Sequence, residues 1–172
     1  MKISGLLKPK DLVTIAGAIL GLSAVVAMLH GTFNTAAVLL IISAIIDWLD
    51  GKIARKVGPT SYGHFLDLAD LSSFGVAPAL FIILWLNPSF SPGGIIIYAA
   101  AFSLFIAGLL RLARFFTLGA APFIMGVPIT FNGLAIPFLW FTHANKFEVV
   151  IVTFFMCYMM LSTIKFEKKR RQ

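Results

Sequence analysis

Asp47, Asp50, Asp67 and Asp70 are four of the seven acidic residues in the chain, and they fall in one short stretch of a strongly apolar sequence. Ionisable groups in such surroundings are expensive and are kept for a function. At about 100° per residue, Asp47 and Asp50 share a face of one helix, and Asp67 and Asp70 share a face of the next. Two consecutive antiparallel helices joined by a short loop would gather all four carboxylates at one end of a bundle. Clustered anions repel unless cations neutralise them, and carboxylate oxygens suit hard ions such as Mg²⁺, Mn²⁺ or Ca²⁺. The spacing predicts a one- or two-metal site. A simpler role as helix caps, or as partners of Lys52, Arg55 and Lys56, fits Asp50 but exceeds what two helix ends require.

Gly51 and Ala54 follow Asp50 at helical spacing and leave a patch where something flat could approach the backbone. Lys52, Arg55 and Lys56 offer cations to phosphates. Metal ions beside phosphate-binding cations point to phosphoryl transfer, in which two ions steady the attacking and leaving oxygens.

The elements that must position these residues are membrane helices. Of 172 residues 59% are hydrophobic and 12% are charged, about half the roughly 25% charge of a soluble domain. That composition excludes disorder, collagen and disulfide scaffolds, and Cys157, alone in an apolar run, reads as a core or lipid-facing residue. A hydrocarbon core of about 30 Å takes roughly 20 helical residues. Six segments qualify: 12–29, 35–56, 63–86, 94–110, 127–143 and 149–164. The expectation is an all-α integral membrane protein, a six-helix transmembrane bundle that fills residues 1–172 as a single domain. Residues 1–10 would form a cytoplasmic juxtamembrane segment and residues 165–172 a basic cytoplasmic tail.

Six spans put both termini on one side, with the loops near 52–63 and 111–126. Every Lys and Arg except Lys146 falls on that side, which the positive-inside rule makes cytoplasmic. The net charge of +7 therefore reads as membrane-flanking charge, not as a nucleic-acid surface. The first span is long for a signal peptide, lacks a cleavage signal and is expected to be retained. Gly17 and Gly21 form a GxxxG pair for close helix packing, within the bundle or across a dimer.

Asp47-Trp-Leu-Asp50-Gly51-Lys-Ile-Ala54-Arg55, followed by Gly63-His-Phe-Leu-Asp67 and Asp70, resembles the D-x2-D-G-x2-A-R-x8-G-x3-D-x3-D signature of the CDP-alcohol phosphatidyltransferases. Ser73-Phe-Gly-Val-Ala-Pro78, Arg111-Leu-Ala-Arg114-Phe115 and Gly126-Val-Pro-Ile-Thr-Phe-Asn-Gly133 resemble the phosphatidylserine synthase branch with its archaetidylserine relatives. The resemblance implies a six-helix enzyme of the cell membrane, usually a homodimer, with a site open to the cytoplasm and a lipid-accessible groove. Asp47, Asp50 and Asp67 would then hold two divalent ions, Mg²⁺ or Mn²⁺, on the pyrophosphate of CDP-diacylglycerol or CDP-archaeol. Asp70 would complete the metal site and act as general base. Gly51 and Ala54, with Arg55, would receive the cytidine nucleotide and its phosphates. Ser73 to Pro78, Arg111 and Arg114 would shape the acceptor and lipid-phosphate pocket. The implied reaction is attack by the L-serine hydroxyl on the lipid-bearing phosphorus, with release of CMP.

The chain has seven residues between Arg55 and Gly63 where the signature has eight, and two between Asp67 and Asp70 where it has three. On an ideal helix the second difference turns Asp70 by about 100° relative to Asp67, unless a 3₁₀ or π distortion compensates. Gly17 stands where relatives often show Asn. Transfer to glycerol 3-phosphate or an inositol phosphate is the nearest rival and would demand extra cations. A divalent-cation transporter would need polar positions continuing across the bilayer, and a non-catalytic scaffold would keep the fold alone. His64 lies beside Asp67 as a lesser ligand candidate, His30 and His143 map to the far side, and Asn132 inside span five is either helix glue or a pocket residue.

Overall fold

The computed structural model describes residues 9–57, 68–118 and 123–167. Helix α1 (Pro9–Leu29) turns through Gly31, at φ +72°, into α2 (Phe33–Val57). Helix α3 is described over Leu68–Leu86 and connects through Asn87–Ser91 to α4 (Pro92–Leu118). A 3₁₀ turn (Ile129–Phe131) leads into α5 (Asn132–Phe141), and α6 (Lys146–Leu161) completes the bundle. Six helices are thus present among the described residues. α1 packs chiefly on α2, α4 on α6, and α2 on α5.

Small residues let these helices approach closely. Ala24, Ala36, Ala37, Ala44, Ala101 and Ala107 are all buried in the core. A Cβ on Gly21 would lie 2.9 Å from the Ser73 Cα, and Gly17 accepts a 2.9 Å hydrogen bond from the buried Ser43 hydroxyl on its carbonyl. Both glycines of the GxxxG pair therefore pack inside the bundle. At one end Phe33, Phe81, Trp85 and Trp140 interlock with ring centroids 5.2–6.1 Å apart, and the Trp140 indole donates to Asn34 Oδ1 at 2.7 Å. Asp47 is fourteen residues along α2 from Phe33, about 21 Å on a helix, so the carboxylates lie toward the opposite end.

The bundle is all-α, with one small addition: β1 (Phe123–Met125) pairs antiparallel with β2 (Lys165–Glu167), in register Ile124 opposite Phe166. Phe123-Ile-Met125 is apolar throughout and Lys165-Phe-Glu167 alternates over three residues only, too short a run for sequence pattern to mark a strand. One expectation is corrected: α5, with 10 residues, is shorter than the segment 127–143 read as a span, whereas α6 has its expected 16 residues and starts at Lys146. Leu12–Leu29, Leu68–Leu86 and Pro92–Arg114 are long and apolar enough to cross a membrane, whereas Ile129–Phe141 is a shorter apolar helix. At 1.5 Å per residue it runs about 20 Å. Gly126, at φ +68°, and the extended Pro128 delay its start, which leaves its first turn recessed in the bundle. Helix α6 opens on a capping box, with the Asn145 side chain accepting from Phe147 and Glu148 N–H and Glu148 accepting from Asn145 N–H.

Helix α3 is not regular. Ser72–Val76 form a π turn in which the Ala77 N–H reaches Ser72 O, five residues back. Pro78 explains it: proline lacks the N–H that would bond Phe74 O and its ring clashes with that carbonyl in an α-helix. Phe74 O is instead satisfied by the Asn132 amide at 2.9 Å, with Asn132 fully buried. Asn132 is thus helix glue between α5 and α3. The π turn follows Asp70, so it turns Asp70 relative to Ala77–Leu86 and does not act between Asp67 and Asp70.

Candidate active site

Asp47, in the second half of α2, is half-buried, and its Oδ2 accepts a 2.5 Å hydrogen bond from the Thr130 hydroxyl on the 3₁₀ turn. Thr130 reaches it because Ile129 is seated against α4, where a Cβ on Gly108 would lie 2.5 Å from Ile129 Cδ1. Asp70 lies in the first described turn of α3. Arg111, one face round from Gly108 on α4, is half-buried and feels the charge of both Asp47 and Asp70. Helices α2, α3 and α4 and the 3₁₀ turn therefore converge on two carboxylates and one guanidinium. Arg111 Nε is buried and has no hydrogen-bond partner. A buried charged donor without a partner is costly unless a ligand oxygen takes it.

Arg114, expected with Arg111 in the acceptor or lipid-phosphate pocket, donates from Nη1 to Ser162 O at 3.2 Å and from Nη2 to Leu161 O at 3.1 Å. Those are carbonyls at the C-terminal end of α6, where a cation complements the helix dipole. Asp50, Gly51, Ala54 and Arg55 continue α2 with side chains outside the described set, and Asp67 lies outside the described residues with His64.

The described donors fit a divalent ion in chemistry. Asp47 and Asp70 supply hard carboxylate oxygens, and the Arg111 charge lies close to both. No group of three or more His, Cys, Asp or Glu side chains gathers among the described residues; of the expected set, the side chain of Asp50 and the whole of Asp67 lie outside them. Beside Asp70 an apolar groove of about 410 Å³ opens between α1 and α3, lined by Ile15, Ile19, Leu22, Ala69, Val76 and Leu80.

The CDP-alcohol phosphatidyltransferase family pattern matches residues 9–165. The chain belongs to the CDP-alcohol phosphatidyltransferase family. It is similar to the CDP-diacylglycerol--serine O-phosphatidyltransferase of Bacillus subtilis, at 34% identity over 90% of this chain and 87% of that one. It is similar also to the archaetidylserine synthase of Methanothermobacter thermautotrophicus, at 27% identity over 97% of this chain and 72% of the relative. A third relative is the CDP-diacylglycerol--serine O-phosphatidyltransferase of Methanocaldococcus jannaschii, at 37% identity over 92% of this chain and 73% of the relative. For this phosphatidyltransferase the residue that sequence reasoning passed over is Thr130. In the sequence it stands only within the Gly126–Gly133 likeness, although a hydroxyl in an apolar segment just after Pro128 signals a polar partner across the bundle.

Proposed function

We propose that this membrane phosphatidyltransferase transfers a phosphatidyl or archaetidyl group from a CDP-lipid to the hydroxyl of L-serine, releasing CMP, in phospholipid biosynthesis. The observation that carries the reading is Arg111, its Nε unpartnered, beside Asp47 and Asp70 in a chain of this family. Asp47, Asp50, Asp67 and Asp70 would hold two divalent ions, Mg²⁺ or Mn²⁺, which when bound offset the negative charge of the donor pyrophosphate.

Arg111 orients the lipid-bearing phosphate through its free Nε–H, and Thr130 fixes the Asp47 carboxylate. Gly51, Ala54 and Arg55 receive the nucleotide and its phosphates. The groove between α1 and α3 takes a lipid chain of CDP-diacylglycerol or CDP-archaeol beside Asp70. Asp70 accepts the serine hydroxyl proton as the serine oxygen bonds to the lipid-bearing phosphorus. The bond from that phosphorus to the bridging oxygen breaks, and CMP leaves with that oxygen. The site opens to the cytoplasmic face of the cell membrane, a reading the basic flanks support, and the working enzyme is a homodimer.

Arg114 also favours serine over glycerol 3-phosphate or an inositol phosphate. An anionic acceptor needs cations beyond those that hold the donor, and the Arg114 guanidinium is already engaged on α6. The test is CMP release by purified protein in nanodiscs, with ester- and ether-linked CDP-lipids, Mg²⁺ or Mn²⁺, and each acceptor in parallel. Serine-dependent, chelator-sensitive release supports the reading. Release dependent on another acceptor, or on none, overturns it.

A further inference from the structure

We propose that Asn132 is a positioning residue, which together with Pro78 holds the π turn of α3 so that Asp70 faces Asp47 and Arg111. The proposal rests on the reading of Asp70 as general base. Three observations carry it. Pro78 removes the donor that an α-helix would give Phe74 O, and the Asn132 amide supplies it from α5 at 2.9 Å. The π turn is clamped on both flanks: Ser73 abuts Gly21 of α1, and a Cβ on Gly133 would lie 2.7 Å from Phe74 Cδ1. Finally, Asn132 sits two residues after Thr130, whose hydroxyl holds Asp47. One short segment thus grips both carboxylates, Asp47 directly and Asp70 through the turn that carries it.

A π turn takes up about one residue more than an α turn, so straightening it would swing Asp70 by roughly 100° about the helix axis. That swing carries Asp70 off the face toward Arg111. The bland alternative is that the turn merely accommodates a proline and that Asn132 only satisfies a carbonyl.

The two accounts separate in a double-mutant cycle of Asn132→Ala and Pro78→Ala, measured in nanodiscs as thermal midpoint, kcat for CMP release, and KM for serine and CDP-lipid. Asn132→Ala is expected to lower the midpoint and to reduce kcat about 100-fold, as for an angstrom-scale misplacement, with both KM values within about threefold. Pro78→Ala gives Phe74 O a backbone donor. The double variant should therefore regain thermal stability while its kcat stays low. Should Asn132→Ala fail to fold, Pro78→Ala alone carries the test, since loss of the π turn is expected to lower its kcat by a similar factor. Wild-type kcat in Pro78→Ala, or in the double variant, overturns the proposal. Asp70→Asn distinguishes the two layers: wild-type kcat there overturns the base assignment and the positioning role with it, whereas an inactive Asp70→Asn beside a fully active Asn132→Ala overturns the positioning role alone.

Discussion

Thr130 and Asp47 lie 83 residues apart and meet through a 2.5 Å hydrogen bond from the threonine hydroxyl to the aspartate Oδ2. The bond exists because α5 starts late. A full-length fifth span would carry its first turn past the level of Asp47, whereas the bend at Gly126–Pro128 leaves Thr130 recessed beside it. A carboxylate held at one oxygen is fixed in direction, which is how outer-shell partners tune metal ligands.

Thr130→Val keeps the shape and removes the donor. The metal concentration for half-maximal CMP release should then rise about 10- to 100-fold, while Thr130→Ser stays near wild type. An unchanged metal titration in the valine variant would show that this bond does not prepare Asp47 for a cation.

Arg111 offers a planar fork between two carboxylates, and lysine offers a point charge. Arg111→Lys is expected to lower kcat/KM for the CDP-lipid about 10- to 100-fold, as for loss of a hydrogen bond to a charged group. Steady-state kinetics with the donor varied at saturating serine reads this out. Equal kcat/KM in the two proteins would remove Arg111 from donor binding.

Arg114 has a different part. With two guanidinium nitrogens on Leu161 O and Ser162 O, Arg114→Ala should destabilise the end of α6 by about 1–3 kcal/mol. The measurement is the thermal midpoint in detergent. A midpoint equal to wild type would mean that the cap contributes nothing to stability.

Gly21→Ala places a methyl against the Ser73 backbone, where α1 and α3 meet. Overpacking of this kind costs about 1–3 kcal/mol, and Ser73→Gly in the same chain should recover part of it. A stable Gly21→Ala protein with reduced dimer content would instead place this glycine between subunits.

Much of this organisation is legible in the sequence for physical reasons. Lipid forces backbone groups to pair within each segment, so apolar run length marks the six helices, and the four aspartates stand out because acidic residues are rare here. What local pattern cannot carry is the outcome of tertiary competition. Arg111 and Arg114 share a spacing that suggests one face, yet α6 ends within reach of Arg114 and takes it. Pro78 announces a helix defect, but that the defect is a π turn answered by Asn132 depends on α5 arriving beside Phe74. The β1–β2 ribbon is closed by the ends of distant segments and has no local signal.

The central claim is that these carboxylates direct transfer to serine. Its most direct measurement is incorporation of isotopically labelled serine into lipid, followed alongside CMP release, by purified protein in nanodiscs containing CDP-lipid. One labelled lipid is expected per CMP, with both lost on chelation and in Asp47→Asn and Asp70→Asn. CMP release without serine entering lipid, or incorporation undiminished in those variants, would contradict it.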